Sequence, residues 1–192
     1  MTPRELSLTA NSIRQNIIKE LLEAKSGHSG GPLGLTDILT ALYFEVADID
    51  PKNPWKETRD RVIFSCGHYC PAWYATLAER GFFPVEELKT LRKINSRLQG
   101  HPHIHSAPGI ENTGGPLGQG VSLALGIALA LKLKNNPAHV FCFTSDGEQQ
   151  EGEVWEAYNM AAKYKVDNLT YILDYNNIQI DGPVSDIMPF EP

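Results

Sequence analysis

Cysteine is scarce in this sequence: three among 192 residues, at Cys66, Cys70 and Cys142. So small and odd a number argues against a disulfide framework. Cys142, inside the apolar run Val140-Phe141-Cys142-Phe143, is expected to behave as a small buried hydrophobe. Cys66, His68 and Cys70 lack the spacing of common zinc sites, so no metal is assigned to them. A positive surplus is also missing. The net charge is −6 and the pI near 5.5, and no basic stripe marks a nucleic-acid footprint. No apolar run reaches the length of a membrane span, and the opening Met1-Thr2-Pro3-Arg4-Glu5 has no signal-peptide character. The expected compartment is the cytoplasm. Internal repeats and low-complexity tracts are absent as well.

What remains is an ordinary globular composition, 42% apolar and 21% charged, long enough for one domain with a real core. Leu6, Leu8, Ile13, Ile17, Leu21 and Leu22 recur near helical spacing, which predicts an amphipathic helix over residues 5–24. Ser26-Gly27-His28-Ser29-Gly30-Gly31-Pro32 reads as a break that cannot be helix. A second helix is expected over 35–45, with Ile38, Leu39, Leu42 and Tyr43 inward, and a polar loop over 48–60. The pattern then predicts a short buried strand over 61–65, a turn at Cys66-Gly67-His68, and helices over 71–80 and 84–91, each with proline in its first turn. Glycine and proline exclude regular structure over 98–120, and a loop of that length is usually functional. Residues 121–134, nearly all apolar and small, suit a helix buried on most sides.

Two apolar runs, Val140-Phe141-Cys142-Phe143 and Leu169-Thr170-Tyr171-Ile172-Leu173, bracket a helical pattern over 154–164. The recurrence of buried strand, glycine-bearing turn and helix predicts an α/β fold, an open and mainly parallel sheet flanked by helices. Parallel strands open their following loops on one edge of the sheet. Asp146 and Asn176 each stand just past a strand, 176 − 146 = 30 residues apart, so their oxygens can share an ion. A carboxylate, an amide oxygen and the carbonyl of Ile178 suit Mg²⁺ or Ca²⁺, which leave coordination positions for phosphate. The plainer alternative is that Asp146 caps a helix and Asn176-Asn177 forms a turn.

Gly114-Gly115-Pro116-Leu117-Gly118-Gln119-Gly120 runs straight into a buried helix, so free backbone N–H groups and the helix dipole can receive a diphosphate. His28, His68 and His101 lie in loops where imidazole can bond a sugar oxygen or move protons. His105 and His139 are expected to be ordinary surface residues. A zinc hydrolase built on His101, His103 and His105 lacks the acidic base of the usual motif.

Together these stretches resemble the transketolase family. Ser145-Asp146-Gly147 to Asn176-Asn177 resembles the thiamine-diphosphate signature. Lys25-Ser26-Gly27-His28, Ser65-Cys66-Gly67-His68, Gly100-His101-Pro102, the glycine loop and Asn177-Ile178-Gln179-Ile180-Asp181-Gly182 follow in the family's order. The resemblance implies a diphosphate-binding (PP-type) domain over 1–192, with thiamine diphosphate and Mg²⁺ or Ca²⁺ as cofactors and a two-carbon ketol unit passed from ketose to aldose. It implies Asp146, Asn176 and the Ile178 carbonyl as metal ligands, and His68, Gly115, Pro116, Leu117 and Gly147 lining the cofactor. His28, His68 and His101 would assist catalysis, and Glu151 matches an acid near the family's subunit interface. Ser145 stands where the family usually has glycine, Ser29 where it commonly has proline, and Cys66, Tyr69 and Cys70 are unusual neighbours of His68.

The family also needs a pyrimidine-binding domain that these residues do not supply. The chain is therefore expected to be a split-gene subunit or a shortened form, with shortening at the C-terminus favoured, working with a second transketolase chain as a dimer of heterodimers. It would act on sugars or sugar phosphates, with neither nucleic acid nor membrane as partner. A non-catalytic cofactor-binding or assembly module, or a subunit of a 2-oxo acid or acetoin dehydrogenase, is the alternative.

Overall fold

The structure, a computed structural model, describes residues 1–180 and 182–190. Asp181 of the last motif and the terminal Glu191-Pro192 lie outside the described residues. The chain forms two compact units, one of residues 1–59 and 68–113, the other of 60–67 and 114–192.

The first unit is helical. Helix α1 (Pro3–Ala24) starts at a capping box in which Thr2 and Glu5 exchange bonds, and it ends where Lys25 turns left-handed. Its inward stripe is Ala10, Ile13, Asn16, Ile17 and Glu20, whereas Leu8 and Leu22 face solvent. Helix α2 (Gly30–Gly34) lies partly inside the stretch expected to exclude helix. Gly31 permits this, since a Cβ there would stand 2.0 Å from the Tyr69 ring. Helix α3 (Thr36–Ala41) continues as a π-helical turn over Leu42–Val46. Leu39, Leu42 and Tyr43 are buried as expected, but Ile38 is exposed.

Helix α4 (Cys70–Arg80) is buried from Cys70 to Ala78, and its Trp73 indole donates to the Tyr43 hydroxyl at 2.6 Å. Residues Val85–Thr90 form 3-10 rather than α-helix. Arg59 closes the unit's long loop with a bidentate grip on Glu111 at 2.6 and 3.1 Å.

In the second unit strands β1 (Arg61–Phe64), β2 (Val140–Ser145) and β3 (Leu169–Asp174) form a parallel sheet in that order. Helix α5 (Gln119–Leu133) precedes β2 and α6 (Gly152–Lys163) links β2 to β3. Ile63, Val140 and Cys142 pack with Ala124, Ala128 and Leu131, and Val121 and Leu125 with Val154 and Ala157. Alanine at the sheet-facing positions of α5 permits that approach, and Gly120 closes it: a Cβ there would stand 2.4 Å from Ser65 Cα. Contrary to expectation α5 is buried on one side only, with Leu123 and Leu133 exposed. The short hairpin β4 (Ile178–Gln179) and β5 (Gly182–Pro183) leads to α7 (Val184–Ile187).

Candidate functional site

The parallel register of β2 and β3 places Ser145 beside Asp174, so the loops after both strands leave the same edge. Asp146 donates its N–H to Asp174 O at 3.2 Å. Its buried carboxylate accepts from Gly147 N at 2.8 Å and from Asn177 N at 2.9 Å. Burial holds its pKa above the usual carboxylate value, against the pull of those two N–H groups. The Asn176 amide bridges Asp174 Oδ2 and the Ile178 N–H, both at 3.0 Å. The capping and turn roles are therefore present here, and they bring Asp146 and Asn176 into one bonded loop pair.

The glycine loop belongs to the same unit. A Cβ on Gly67 would stand 2.7 Å from Gly115 N and 2.9 Å from Gly114 Cα, so the turn after β1 lies directly against this loop. Gly115 has φ +147 with open space on its side-chain face. Pro116 is exposed and Leu117 half-buried. Glu151 stands exposed at the N-cap position of α6, and its side chain makes no capping bond. One amide expected to be free is taken: Gly118 N donates to Glu148 Oε1 at 2.8 Å.

Glu148 is not singled out by the sequence pattern. It is fully buried, and it also accepts from Ser65 Oγ at 2.5 Å and from Ser145 N at 3.0 Å, with Ser145 Oγ at 3.5 Å. Burial raises its pKa while these four donors pull it down. One carboxylate thus ties together the ends of β1 and β2 and the start of α5. The serine that replaces the usual signature glycine is one of its partners. Ser65 and Ser145, each ending an apolar strand, hint at a buried polar partner, but their convergence is visible only in three dimensions.

In the helical unit His28 and His68 meet edge to face, with ring centroids 5.1 Å apart. Burial, then His28 and His101, push His68 down to about 4. Burial, Arg92 and His101 also lower His28. The three catalytic candidates thus share one electrostatic environment that favours neutral imidazole at His28 and His68. His105 packs edge-on against Trp55, and half-buried His139 bonds Thr170 Oγ1 at 2.8 Å. Among the described residues no group of three or more His, Cys, Asp or Glu is placed to hold a metal ion. All three cysteines are free and buried.

The donor set at the sheet edge fits a hard cation carrying a diphosphate. It offers one carboxylate, a neutral amide and backbone oxygen rather than soft ligands. Gln179 also keeps a buried, unpartnered Nε2 and lies 3.8 Å from where a Gly147 Cβ would stand.

A parallel sheet with a carboxylate, an Asn turn and a glycine loop at its edge defines a diphosphate-binding domain. Residues 6–189 match the family model described as transketolase, thiamine diphosphate binding domain. The chain belongs to that family. It is 42% identical over 188 residues to the 6-deoxy-6-sulfo-D-fructose transketolase subunit SqwG of Clostridium sp. (strain MSTE9), covering 98% of this chain and 68% of that protein. It is 39% identical to an apulose-4-phosphate transketolase subunit of Phocaeicola vulgatus, covering 100% and 68%. Transketolase from Campylobacter jejuni superposes with a TM-score of 0.92 at 37% identity, covering all of this chain and 31% of that one. The chain therefore spans about two thirds of these subunits and under a third of that transketolase.

Proposed function

We propose that this chain is the diphosphate- and metal-binding part of a transketolase, passing a two-carbon ketol unit from a ketose to an aldose together with a second chain that carries the pyrimidine-binding domain. The observation that carries the reading is the bonded pair of loops past β2 and β3, with Asp146 Oδ2 at 2.9 Å from Asn177 N. Similarity to transketolase subunits along nearly the whole chain supports it.

In this reading Asp146, Asn176 and the Ile178 carbonyl hold Mg²⁺ or Ca²⁺, and His68, Gly115, Pro116, Leu117, Gly147 and Glu151 line or support the cofactor. Each Asp146 oxygen uses one lone pair on a backbone N–H, which leaves others for the cation. When bound, thiamine diphosphate supplies the carbon nucleophile of the reaction. The chain's own residues bind, orient and move protons. His28 and His68, biased towards neutral imidazole, accept hydrogen bonds from sugar hydroxyls, and with His101 they assist proton transfers.

The proposed substrates are sugars with an anionic sulfo or phosphate group, a reading supported by relatives named for 6-deoxy-6-sulfo-D-fructose and apulose-4-phosphate, and the proposed assembly is a dimer of heterodimers in the cytoplasm. No helix among the described residues is long and apolar enough to cross a membrane. The test is reconstitution with the second chain, thiamine diphosphate and Mg²⁺, following ketose consumption. Turnover of sugars that Asp146→Ala abolishes supports the reading. Turnover of pyruvate or diketones instead, or none in any such mixture, overturns it.

A further inference from the structure

Arg92 stands among the histidines of the helical unit, outside the set of residues that the transketolase resemblance gives a role. Its backbone is left-handed, with φ 61, a conformation that non-glycine residues rarely adopt. The bond from Arg92 N to Leu98 O, at 2.9 Å, closes the loop that holds it there. This geometry brings the guanidinium against two histidine-bearing loops. A Cβ on Gly100, the residue before His101, would stand 2.8 Å from Arg92 Nε and 3.0 Å from Cζ. A Cβ on Gly27, the residue before His28, would stand 3.9 Å from the same Nε. Arg92 Nη1 also donates to Ser26 Oγ at 3.3 Å, in the loop of His28. Gly100 leaves room for a planar cation that a side chain would displace. Gly27, with φ +132 and Leu21 2.5 Å from where its Cβ would be, has no room for one either.

We propose that Arg92 is a positioning residue: its guanidinium, seated on Gly100 and bonded to Ser26, holds the loops of His28 and His101 to each other and sets a permanent cation beside His28. The inference rests on the proposed transketolase reading only for what those histidines do. The groups acting on His28 are its own partial burial, Arg92 and His101, with the His68 ring in edge contact. A fixed positive charge opposes protonation of a neighbouring imidazole, so Arg92 favours the neutral, accepting form of His28. Lys93, the next residue in the chain, is paired with Glu23 at 2.5 Å. The same guanidinium edges a cavity of about 320 Å³ lined by Arg92, Lys93, Ser96, Gln99, Gly100 and His101, so its place also shapes the space in front of His101.

The test follows the imidazole resonances of His28 and His101 in the full chain by NMR from pH 4 to 9, with no cofactor and no turnover. Arg92→Gln is expected to raise the His28 pKa by about half a unit and to speed amide exchange in both loops. Arg92→Lys keeps the charge without the planar fork, so the His28 titration stays near wild type while exchange in the loops rises. Gly100→Ala, which displaces the guanidinium and removes no charge, is expected to shift His28 in the same direction as Arg92→Gln, and it carries the test if Arg92→Gln does not fold. An unchanged His28 titration in both Arg92→Gln and Gly100→Ala overturns the proposal even if the enzyme is a transketolase. A chain inactive with every sugar leaves these readouts unaffected, so the two readings fail separately.

Discussion

Glu148 Oε1 accepts the backbone N–H of Gly118 at 2.8 Å, so an acid that follows β2 holds the amino end of α5 from thirty residues away (148 − 118 = 30). Ser65 and Ser145 complete its shell. Removing the carboxylate leaves two buried N–H donors and two serine hydroxyls, one of them at 3.5 Å, without this partner. Glu148→Ala is expected to cost about 3–5 kcal/mol in urea unfolding. Glu148→Gln keeps the shape but replaces one acceptor with a donor facing N–H groups, so it falls between wild type and alanine. Ser145→Gly, which loses only the long 3.5 Å hydroxyl contact, is expected to cost under about 1 kcal/mol. If all three unfold alike, this carboxylate is not what fixes the glycine loop.

Glu20 presents the opposite case. It is buried in the stripe of α1, and both its oxygens lack a partner. Burial raises its pKa well above the ordinary carboxylate value. The folded chain therefore holds a proton that the unfolded chain releases. Stability from this group is present below about pH 4.5 and declines as pH rises towards the folded-state value. Glu20→Gln removes the dependence, and its melting temperature is expected to exceed that of wild type at pH 8 by more than at pH 5. Equal offsets at the two pH values would show that Glu20 is solvated.

His68 gives a pH dependence of the other sign. Its folded pKa is pushed down to about 4, chiefly by burial, so the unfolded chain binds the extra proton between that value and about 6.5. Its contribution is complete above about pH 6.5 and is lost as pH falls towards 4, on the order of 2 kcal/mol after allowance for its partial exposure. His28, shifted the same way by its burial, Arg92 and His101, adds to the trend. Denaturant unfolding of His68→Gln from pH 4.5 to 7.5 is expected to show a flatter profile than wild type. An unaltered slope would place His68 in solvent.

Much of this architecture is legible locally. The β2, α6, β3 unit follows from two apolar runs and the helical pattern between them, and its parallel register then puts Asp146 beside Asn177 without further information. Helix α2 escapes a local reading because three glycines lower helix propensity, while the reason for one of them, the Tyr69 ring against Gly31, lies thirty-eight residues on (69 − 31 = 38). The exposed face of α5 is hidden by composition, since Leu123 and Leu133 read as core when neighbours are unknown. Glu148 and Arg92 are illegible for a shared reason. Each draws its role from partners in loops far apart in the chain, and the Arg92 backbone is left-handed at a residue type that gives no sign of it.

In the proposed function Asp146 anchors a divalent cation for a diphosphate at the sheet edge. Mn²⁺ in place of Mg²⁺ reports this directly by electron paramagnetic resonance as thiamine diphosphate is added to the chain. Wild type is expected to take up Mn²⁺ only when thiamine diphosphate is present, and Asp146→Ala to weaken that uptake at least about 100-fold while keeping a wild-type circular dichroism spectrum. Cofactor-dependent Mn²⁺ uptake that is equal in wild type and Asp146→Ala would contradict a metal-anchoring role for Asp146.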